Sequence, residues 1–331
     1  MCGQTWKFGS FSWEQKKVFV IVVLFDVAVS LIVAVSILRI YDAMVEHINI
    51  KASIKPAILA QMCNTLINCF PNVFVATKLE MVHWGGIGVL RGTLNCLQEL
   101  LSMTRQWDYF INLSGQDFPL KTNSEILTEL RSWPDAASSN AEVVEEPKAS
   151  RYLYRHDIVY SKRNRTHPSH NVATGMRKSP PPGGLRIFKG NLAVALSREA
   201  ADFLLIRSRL AQELLHWLRD TDVPDEHFWA TLFGNADKLL DYEGQGFNGS
   251  IPLARQPVYR VRYAVWRQSA ECGGKYVHDV CVFGVADVAN LIRLKSYFFA
   301  NKLHVAFEPH AFRCLEAWHL KKINIASTAQ P

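Results

Sequence analysis

The chain has 331 residues, of which 49% are apolar and 20% are charged. This composition excludes global disorder and fits one large domain or two modest ones. The formal charge of +7 favours an anionic partner such as a phosphate, a nucleotide, a nucleic acid or a lipid surface. The densest basic stretch, residues 160–170, has no regular aromatic interleaving. We therefore expect no nucleic-acid partner.

The first long apolar segment covers residues 18–38 and contains one charge, Asp26. It is long enough to cross a bilayer, and the preceding Lys16 and Lys17 would keep the N-terminus in the cytosol. A buried strand followed by a buried helix, with Asp26 as the N-cap, explains the same residues. The sequence leaves both interpretations open.

From residue 48 onward, helical and strand-like patterns alternate. Helices are predicted at residues 56–70, 88–103, 124–133 and 198–220, and strands at residues 72–77, 108–114 and 192–197. Asn123 or Ser124 is expected to cap the third of these helices. The alternation predicts an α/β fold with a mainly parallel central sheet flanked by helices.

The strand predicted at 108–114 ends in Ser114-Gly115-Gln116-Asp117. In open α/β sheets, ligands bind beyond the carboxyl ends of the strands, so this end is a candidate ligand-binding edge. A tight turn in which Asp117 caps a neighbouring element explains the same residues.

Pro224, Asp225 and Glu226 precede an apolar helical stretch. Carboxylates in a first helical turn are stabilised by the helix dipole, which is a sufficient structural reason for this pattern. The aromatic neighbours Phe228 and Trp229 could also desolvate one carboxylate and raise its pKa, as a general base requires.

Two other segments have a chemical interpretation beside a structural one. Asp220-Thr221-Asp222 matches the D-x-D pattern by which many sugar-nucleotide enzymes hold a divalent metal, but it also closes a long amphipathic helix. Lys302 follows an aromatic pair and could neutralise a diphosphate, although most lysines are solvated surface residues.

The seven cysteines include Cys272 and Cys281, which flank a Gly-Gly turn and a short strand that a disulfide could close. A zinc site would need two further ligands at matched spacing, and the sequence has no C-x2-C partner. Glycosylation sequons at Asn164 and Asn248 also favour the secretory pathway.

Five separated motifs resemble the core 2 and I-branching β-1,6-N-acetylglucosaminyltransferases, a family that includes the peptide O-xylosyltransferases. In chain order they read "FINLSGQDFPLKTNSEI", "SPPPGGLRIFKGN", "VPDEHFWATL", "YVHDVCVFGVADV" and "FANKLHV". The resemblance implies a GT-A-like nucleotide-sugar transferase fold at residues 44–325. Residues 1–17 are then an N-terminal segment, and residues 18–43 are a membrane anchor or an altered first strand–helix unit.

The same resemblance implies an inverting transfer of GlcNAc from UDP-GlcNAc, in β-1,6 linkage, to a Gal or GalNAc acceptor of O-glycans. Glu226 matches the family's general base, and Lys302 matches the lysine that stabilises the leaving diphosphate. No cofactor and no divalent metal are expected.

Further residues take their expected roles from the resemblance alone. His278 stands where core 2 relatives place an arginine beside the diphosphate, and Asn49 stands where an aspartate is expected near the nucleotide. The expected acceptor contacts are Arg151, Arg155 and Asp117. Cys272 and Cys281 match a family disulfide.

The resemblance also implies a single-pass type II Golgi membrane protein with a lumenal catalytic domain, and it leaves a homodimer as an option. Two alternatives remain open. The Trp84-Gly85-Gly86 stretch is closer to the peptide O-xylosyltransferases. Asn49 and His278 favour a catalytically weak or silent member that binds glycans or a partner.

Overall fold

A computed structural model describes residues 18–25, 30–36, 73–78, 80, 82, 85–103, 107–133, 139–144, 156–162, 171–243, 258–267, 269–305 and 307–328. Five predicted site residues lie outside these ranges: Asn49, Arg151, Arg155, Asn164 and Asn248. The helix predicted at residues 56–70 lies outside them as well.

The described residues form twelve strands and eight α-helices. The strands are β1 (Val18–Phe25), β2 (Ser30–Ser36), β3 (Val73–Val75), β4 (Tyr109–Ser114), β5 (Phe118–Pro119), β6 (Ile158–Lys162), β7 (Asn171–Arg177), β8 (Ala195–Ser197), β9 (Arg262–Tyr263), β10 (Lys275–Val277), β11 (Val280–Val282) and β12 (Phe299–Ala300). The helices are α1 (Ile87–Ser102), α2 (Asn123–Arg131), α3 (Arg198–Asp202), α4 (Arg209–Trp217), α5 (Phe228–Gly234), α6 (Ala236–Glu243), α7 (Val288–Arg293) and α8 (Pro309–Thr328).

The largest sheet has the strand order β3-β2-β1-β4-β8. β1 and β4 run parallel, whereas the pairs β1–β2, β2–β3 and β4–β8 are antiparallel. The predicted α/β class is confirmed, but the prediction of a mainly parallel sheet is wrong for the described strands. For β1 and β2 the reason is chain length: residues 26–29 separate them, whereas a parallel pair needs a crossover of roughly a dozen residues or more.

The apolar run at 18–38 contains two strands, β1 and β2. The interpretation that predicted a strand followed by a helix is therefore wrong. Short apolar runs rich in Val and Ile do not distinguish a strand from a buried helix by periodicity, which explains the error. Among the helices described, none combines the length and the apolar character that crossing a bilayer requires.

The core lies on both faces of β4, because successive side chains of a strand point to opposite sides. Phe110 belongs to a cluster with Leu97 of α1 and Trp229 of α5. On the other face, Ile111 packs in a cluster with Ile126 of α2. Helices therefore cover β4 from two sides, and its polar end at Ser114 emerges from this buried frame.

Two predicted helices are changed by local hydrogen bonding. The helix predicted at 198–220 is interrupted, because Ser208 is extended and its hydroxyl accepts from Ala211 N at 3.1 Å as the N-cap of α4. α2 is capped by Thr122, not by Asn123 or Ser124. Thr122 forms a reciprocal capping box with Glu125, as the T-x-x-E pattern permits.

Candidate active site

Glu226 ends a 3₁₀ turn, Pro224–Glu226, that leads into α5. Its backbone N–H donates to Val223 O at 3.1 Å, and its carbonyl accepts from Gly190 N at 2.8 Å. A Cβ on Gly190 would lie 1.9 Å from the Glu142 carbonyl oxygen, so only glycine permits this close approach. The backbone of Glu226 is therefore fixed from both sides.

The side chain of Glu226 is a quarter exposed and pairs with Lys189 at 3.1 Å (Oε2 to Nζ). A second carboxyl group, Glu142, lies in the same electrostatic environment. Burial raises the pKa of Glu142, and the charge of Glu226 raises it further. The backbone N–H of Asn191 and the charges of Lys189 and Arg262 oppose this rise.

Arg262, in β9, is held by two acceptors. Its Nη2 lies 2.5 Å from Asp117 Oδ2, and its Nη1 donates to Asn191 Oδ1 at 3.0 Å. The buried carboxylate of Asp117 also accepts from Ser114 N at 2.6 Å. Asp117 therefore orients Arg262, and its predicted contact with the acceptor stays a prediction.

Lys302 follows β12 and is held through its backbone. Its N–H donates to Cys281 O at 3.3 Å, and its carbonyl accepts from Phe283 N at 2.9 Å. The residues on either side are bonded to the end of β4: Asn301 Nδ2 donates to Ser114 Oγ at 3.2 Å, and Leu303 N donates to Gln116 O at 2.9 Å. Burial lowers the pKa of Lys302, and the charge of Arg262 lowers it further. The polar strand end thus positions Lys302.

The β10–β11 hairpin contains the disulfide Cys272–Cys281 at its base. His278 lies in the exposed turn of this hairpin, two residues before β11. The carboxylate of Asp287 fastens the base by accepting from Gly273 N at 2.8 Å and from Gly284 N at 2.9 Å. β11 therefore follows the turn that contains His278 and also bonds Lys302, through the carbonyl of Cys281.

Sequence reasoning missed Glu142 and Arg262. Glu226 pairs with Lys189 at 3.1 Å. The charge of Glu226 raises the pKa of Glu142 and that of Arg262 opposes the rise, while the charge of Arg262 lowers the pKa of Lys302. Glu142 lies between the helix predicted at 124–133 and the strand predicted at 192–197, where no element was predicted, and no local pattern marks Arg262. The site thus contains the carboxyl groups of Glu226, Glu142 and Asp117 together with the cations Lys189, Arg262 and Lys302.

The D-x-D segment is engaged by neighbouring side chains. The hydroxyl of Thr221 accepts from Lys178 Nζ at 2.8 Å, and Asp222 Oδ1 accepts from Asn171 Nδ2 at 3.1 Å. Within the described residues, one cluster has the ligand spacing of a metal site: Cys272, Cys281 and Asp287. Its two sulfur atoms are joined in the disulfide, so neither is a free thiolate.

The amino-acid sequence is similar to that of known proteins. The family described as Core-2/I-Branching enzyme matches residues 53–292. The chain is 36% identical to a human N-acetyllactosaminide β-1,6-N-acetylglucosaminyl-transferase, over 80% of this chain and 63% of the relative. It is 38% identical to the mouse protein of the same name, over 76% and 60%.

A further relative is β-1,3-galactosyl-O-glycosyl-glycoprotein β-1,6-N-acetylglucosaminyltransferase 4 of Danio rerio. Its identity to this chain is 35%, over 78% of the chain and 59% of the relative. The chain thus spans between 59% and 63% of the length of these three relatives.

Proposed function

Because this chain belongs to the Core-2/I-Branching enzyme family, we propose that it is an inverting glycosyltransferase of GT-A-like fold. The reaction moves GlcNAc from UDP-GlcNAc, in β-1,6 linkage, to a Gal or GalNAc unit of O-glycans. The names of the relatives support this assignment, since they specify β-1,6-N-acetylglucosaminyl transfer onto N-acetyllactosaminide or galactosyl-O-glycosyl acceptors.

One observation carries the proposal: hydrogen bonds and one ion pair connect the segments of Glu226 and Lys302 through Arg262. Gly190 N donates to Glu226 O, and the side chain of the next residue, Asn191, accepts from Arg262. Arg262 pairs with Asp117 at the end of β4, where Ser114 accepts from Asn301, the residue before Lys302. Inverting transfer needs a base for the acceptor and positive charge for the departing nucleotide. The arrangement supplies both within one site.

In the proposed reaction, Glu226 takes the proton of the acceptor C6 hydroxyl while that oxygen attacks the anomeric carbon of GlcNAc. The new C–O bond forms opposite the bond to UDP, which breaks, so the anomeric configuration inverts. The electron pair leaves with the diphosphate, where Lys302 and Arg262 stabilise the developing charge. A pair of fixed cations can take this role of a divalent metal, so we propose that no metal is required.

The remaining predicted residues and the setting belong to the same proposal. Asn49 and His278 would contact the nucleotide, and Arg151 and Arg155 would contact the acceptor. Asp117, whose side chain is fully buried, would serve the acceptor only by orienting Arg262. Asn164 and Asn248 would carry glycans. The protein would act in the Golgi as a type II membrane protein with its catalytic domain in the lumen.

The test is a transfer assay with the full chain in EDTA. UDP-GlcNAc is combined with a Galβ1-3GalNAc acceptor or with N-acetyllactosamine, and the linkage of the product is determined by NMR. We expect a β-1,6-linked GlcNAc product on at least one acceptor. UDP-xylose with a Ser-Gly peptide is the matched second donor. Transfer of xylose without transfer of GlcNAc, or UDP binding without turnover, would overturn the proposal.

A further inference from the structure

Val223, three residues before Glu226, has an unusual backbone conformation. Its φ and ψ are 51° and 56°, in the left-handed region that β-branched residues rarely adopt. The residue is also buried, at 6% exposure. Such a conformation persists only where the surrounding structure holds it, so the hydrogen bonds around Val223 must stabilise it.

Three residues hold this position: Asn171, Gly85 and Asp222. We call these three residues and Val223 the Asn171 clasp. The Val223 N–H donates to Gly85 O at 2.9 Å. The side-chain amide of Asn171 donates to the same carbonyl at 2.6 Å and to Asp222 Oδ1 at 3.1 Å. An amide nitrogen has two donors, and both are used here.

Gly85 meets two demands in the clasp. Its φ is +72°, which favours glycine, and a Cβ at this position would lie 3.2 Å from Asp222 Oδ1 and 3.6 Å from Asn171 Nδ2. The close approach of the three chain segments therefore requires a residue without a side chain. This gives the Gly85-Gly86 pair and the Asp220-Thr221-Asp222 segment a shared structural role.

The clasp is connected to Glu226 by one backbone hydrogen bond. The Val223 carbonyl accepts from Glu226 N at 3.1 Å, and the Glu226 carbonyl accepts from Gly190 N at 2.8 Å. One end of the turn is thus fixed by Gly190 and the other by the clasp. If Val223 left the left-handed region, the turn would rotate and the Glu226 carboxylate would move relative to Lys189.

We propose that Asn171 is a positioning residue for Glu226, acting through the left-handed conformation of Val223. The proposal rests on the function proposed above for Glu226. It also gives Asp222 a defined task, which is to accept the second N–H of Asn171.

The test uses Asn171→Ala and Asn171→Asp, with Thr174→Val as the matched control. Thr174 lies on the same strand and bonds Val159 O at 2.8 Å, so its replacement loosens the hairpin but not the clasp. We expect both Asn171 variants to lower kcat about tenfold or more, because small misplacements of a catalytic group are costly. The UDP dissociation constant should change less than about twofold, and Thr174→Val should leave kcat near the wild-type value.

Two further measurements separate positioning from general loss of structure. Asn171→Asp removes both donors and places a carboxylate against Asp222, and adding Asp222→Asn restores a donor between the two side chains. This double variant should recover part of kcat. Hydrogen exchange at the Val223 and Glu226 amides should be faster in Asn171→Ala than in Thr174→Val.

The outcomes that overturn the proposal are distinct. Unchanged exchange at both amides, or unchanged kcat despite faster exchange, contradicts it. Equal losses of UDP binding and kcat, without recovery in the double variant, also contradict it. If the wild-type chain transfers no GlcNAc, the proposed function fails, whereas the exchange measurement still decides whether Asn171 holds the turn.

Discussion

Arg262 and Asp117 form the most enclosed ion pair of the candidate site: Nη2 lies 2.5 Å from Oδ2, and the two side chains are 9% and 0% exposed. The pair joins β9 to the end of β4, across 145 positions of sequence. Because Arg262 also bonds Asn191, its guanidinium is held in one orientation, and its charge lowers the pKa of Lys302.

The first prediction follows from the burial of this pair. Asp117→Asn should lower the free energy of unfolding by about 3 kcal/mol or more, since it leaves Arg262 buried without its counter-charge. Asp279→Asn is the matched control, because its pair with Arg267 is more than half exposed. That control should lose about 1 kcal/mol or less. Urea denaturation measures both, and equal losses would refute the interpretation.

The second prediction concerns alkaline pH and Lys302. Its pKa is lowered by burial and by Arg262, so the ammonium is lost, as pH rises, earlier than in an ordinary lysine. The affinity for UDP, measured by calorimetry, should therefore weaken as pH rises, at a pH lower than that at which an ordinary lysine loses its proton. Lys302→Arg should move this loss to higher pH. Exposed Lys295 provides the control, Lys295→Met, which should reproduce the wild-type curve.

If Lys302→Met bound UDP with the wild-type affinity and pH dependence, the diphosphate would have to be stabilised elsewhere.

The third prediction concerns acidic pH and Lys189. The Lys189 charge opposes the raised pKa of Glu142 and pairs with Glu226. Lys189→Gln should therefore raise the pKa of Glu142 further, because a charge that favours its ionised form is lost. NMR titration of the Glu142 carboxyl measures this; Lys189→Arg should restore the wild-type value, and Lys321→Gln, at an exposed site on α8, should not change it. An unchanged pKa of Glu142 in Lys189→Gln would show that the Lys189 charge does not act on this carboxyl.

The fourth prediction tests the packing of α8. Burial lowers the pKa of His319 to about 4, and the charge of Lys322 lowers it further. The folded state thus disfavours the protonated ring, whereas the unfolded chain takes up a proton near pH 6.5. Stability should therefore fall as pH drops from about 6.5 towards 4, by up to about 3 kcal/mol. His319→Phe should flatten this part of the curve in denaturation experiments, and an identical slope in the variant would refute it.

The sequence predicted those features that depend on local patterns. α1 lies close to its predicted range because it has a clear helical periodicity. β4 lies close to its range because it is a short run rich in aromatic and aliphatic residues that ends in polar residues and a glycine. The polar end of β4 was marked as a site by its composition, and it does hold the segment of Lys302 through Ser114 and Gln116.

Features that depend on distant partners could not be predicted in this way. β2 was open to interpretation as a helix because an apolar run does not reveal which strand it will pair with. Arg262 lies in a strand of two residues, and its role depends on Asp117 and Asn191 from other parts of the chain. Glu142 acquires its raised pKa only from burial and from Glu226. No local signal contains this information.

The most direct test compares Glu226→Gln with Glu213→Gln in the transfer assay. Both variants replace a carboxylate by an amide of the same shape, but Glu213 lies on the outer face of α4 at 40% exposure. We predict that Glu226→Gln lowers kcat by roughly 100- to 10,000-fold while binding UDP normally, and that Glu213→Gln behaves as the wild type. Transfer by Glu226→Gln within about tenfold of the wild-type rate would contradict the assignment of the base.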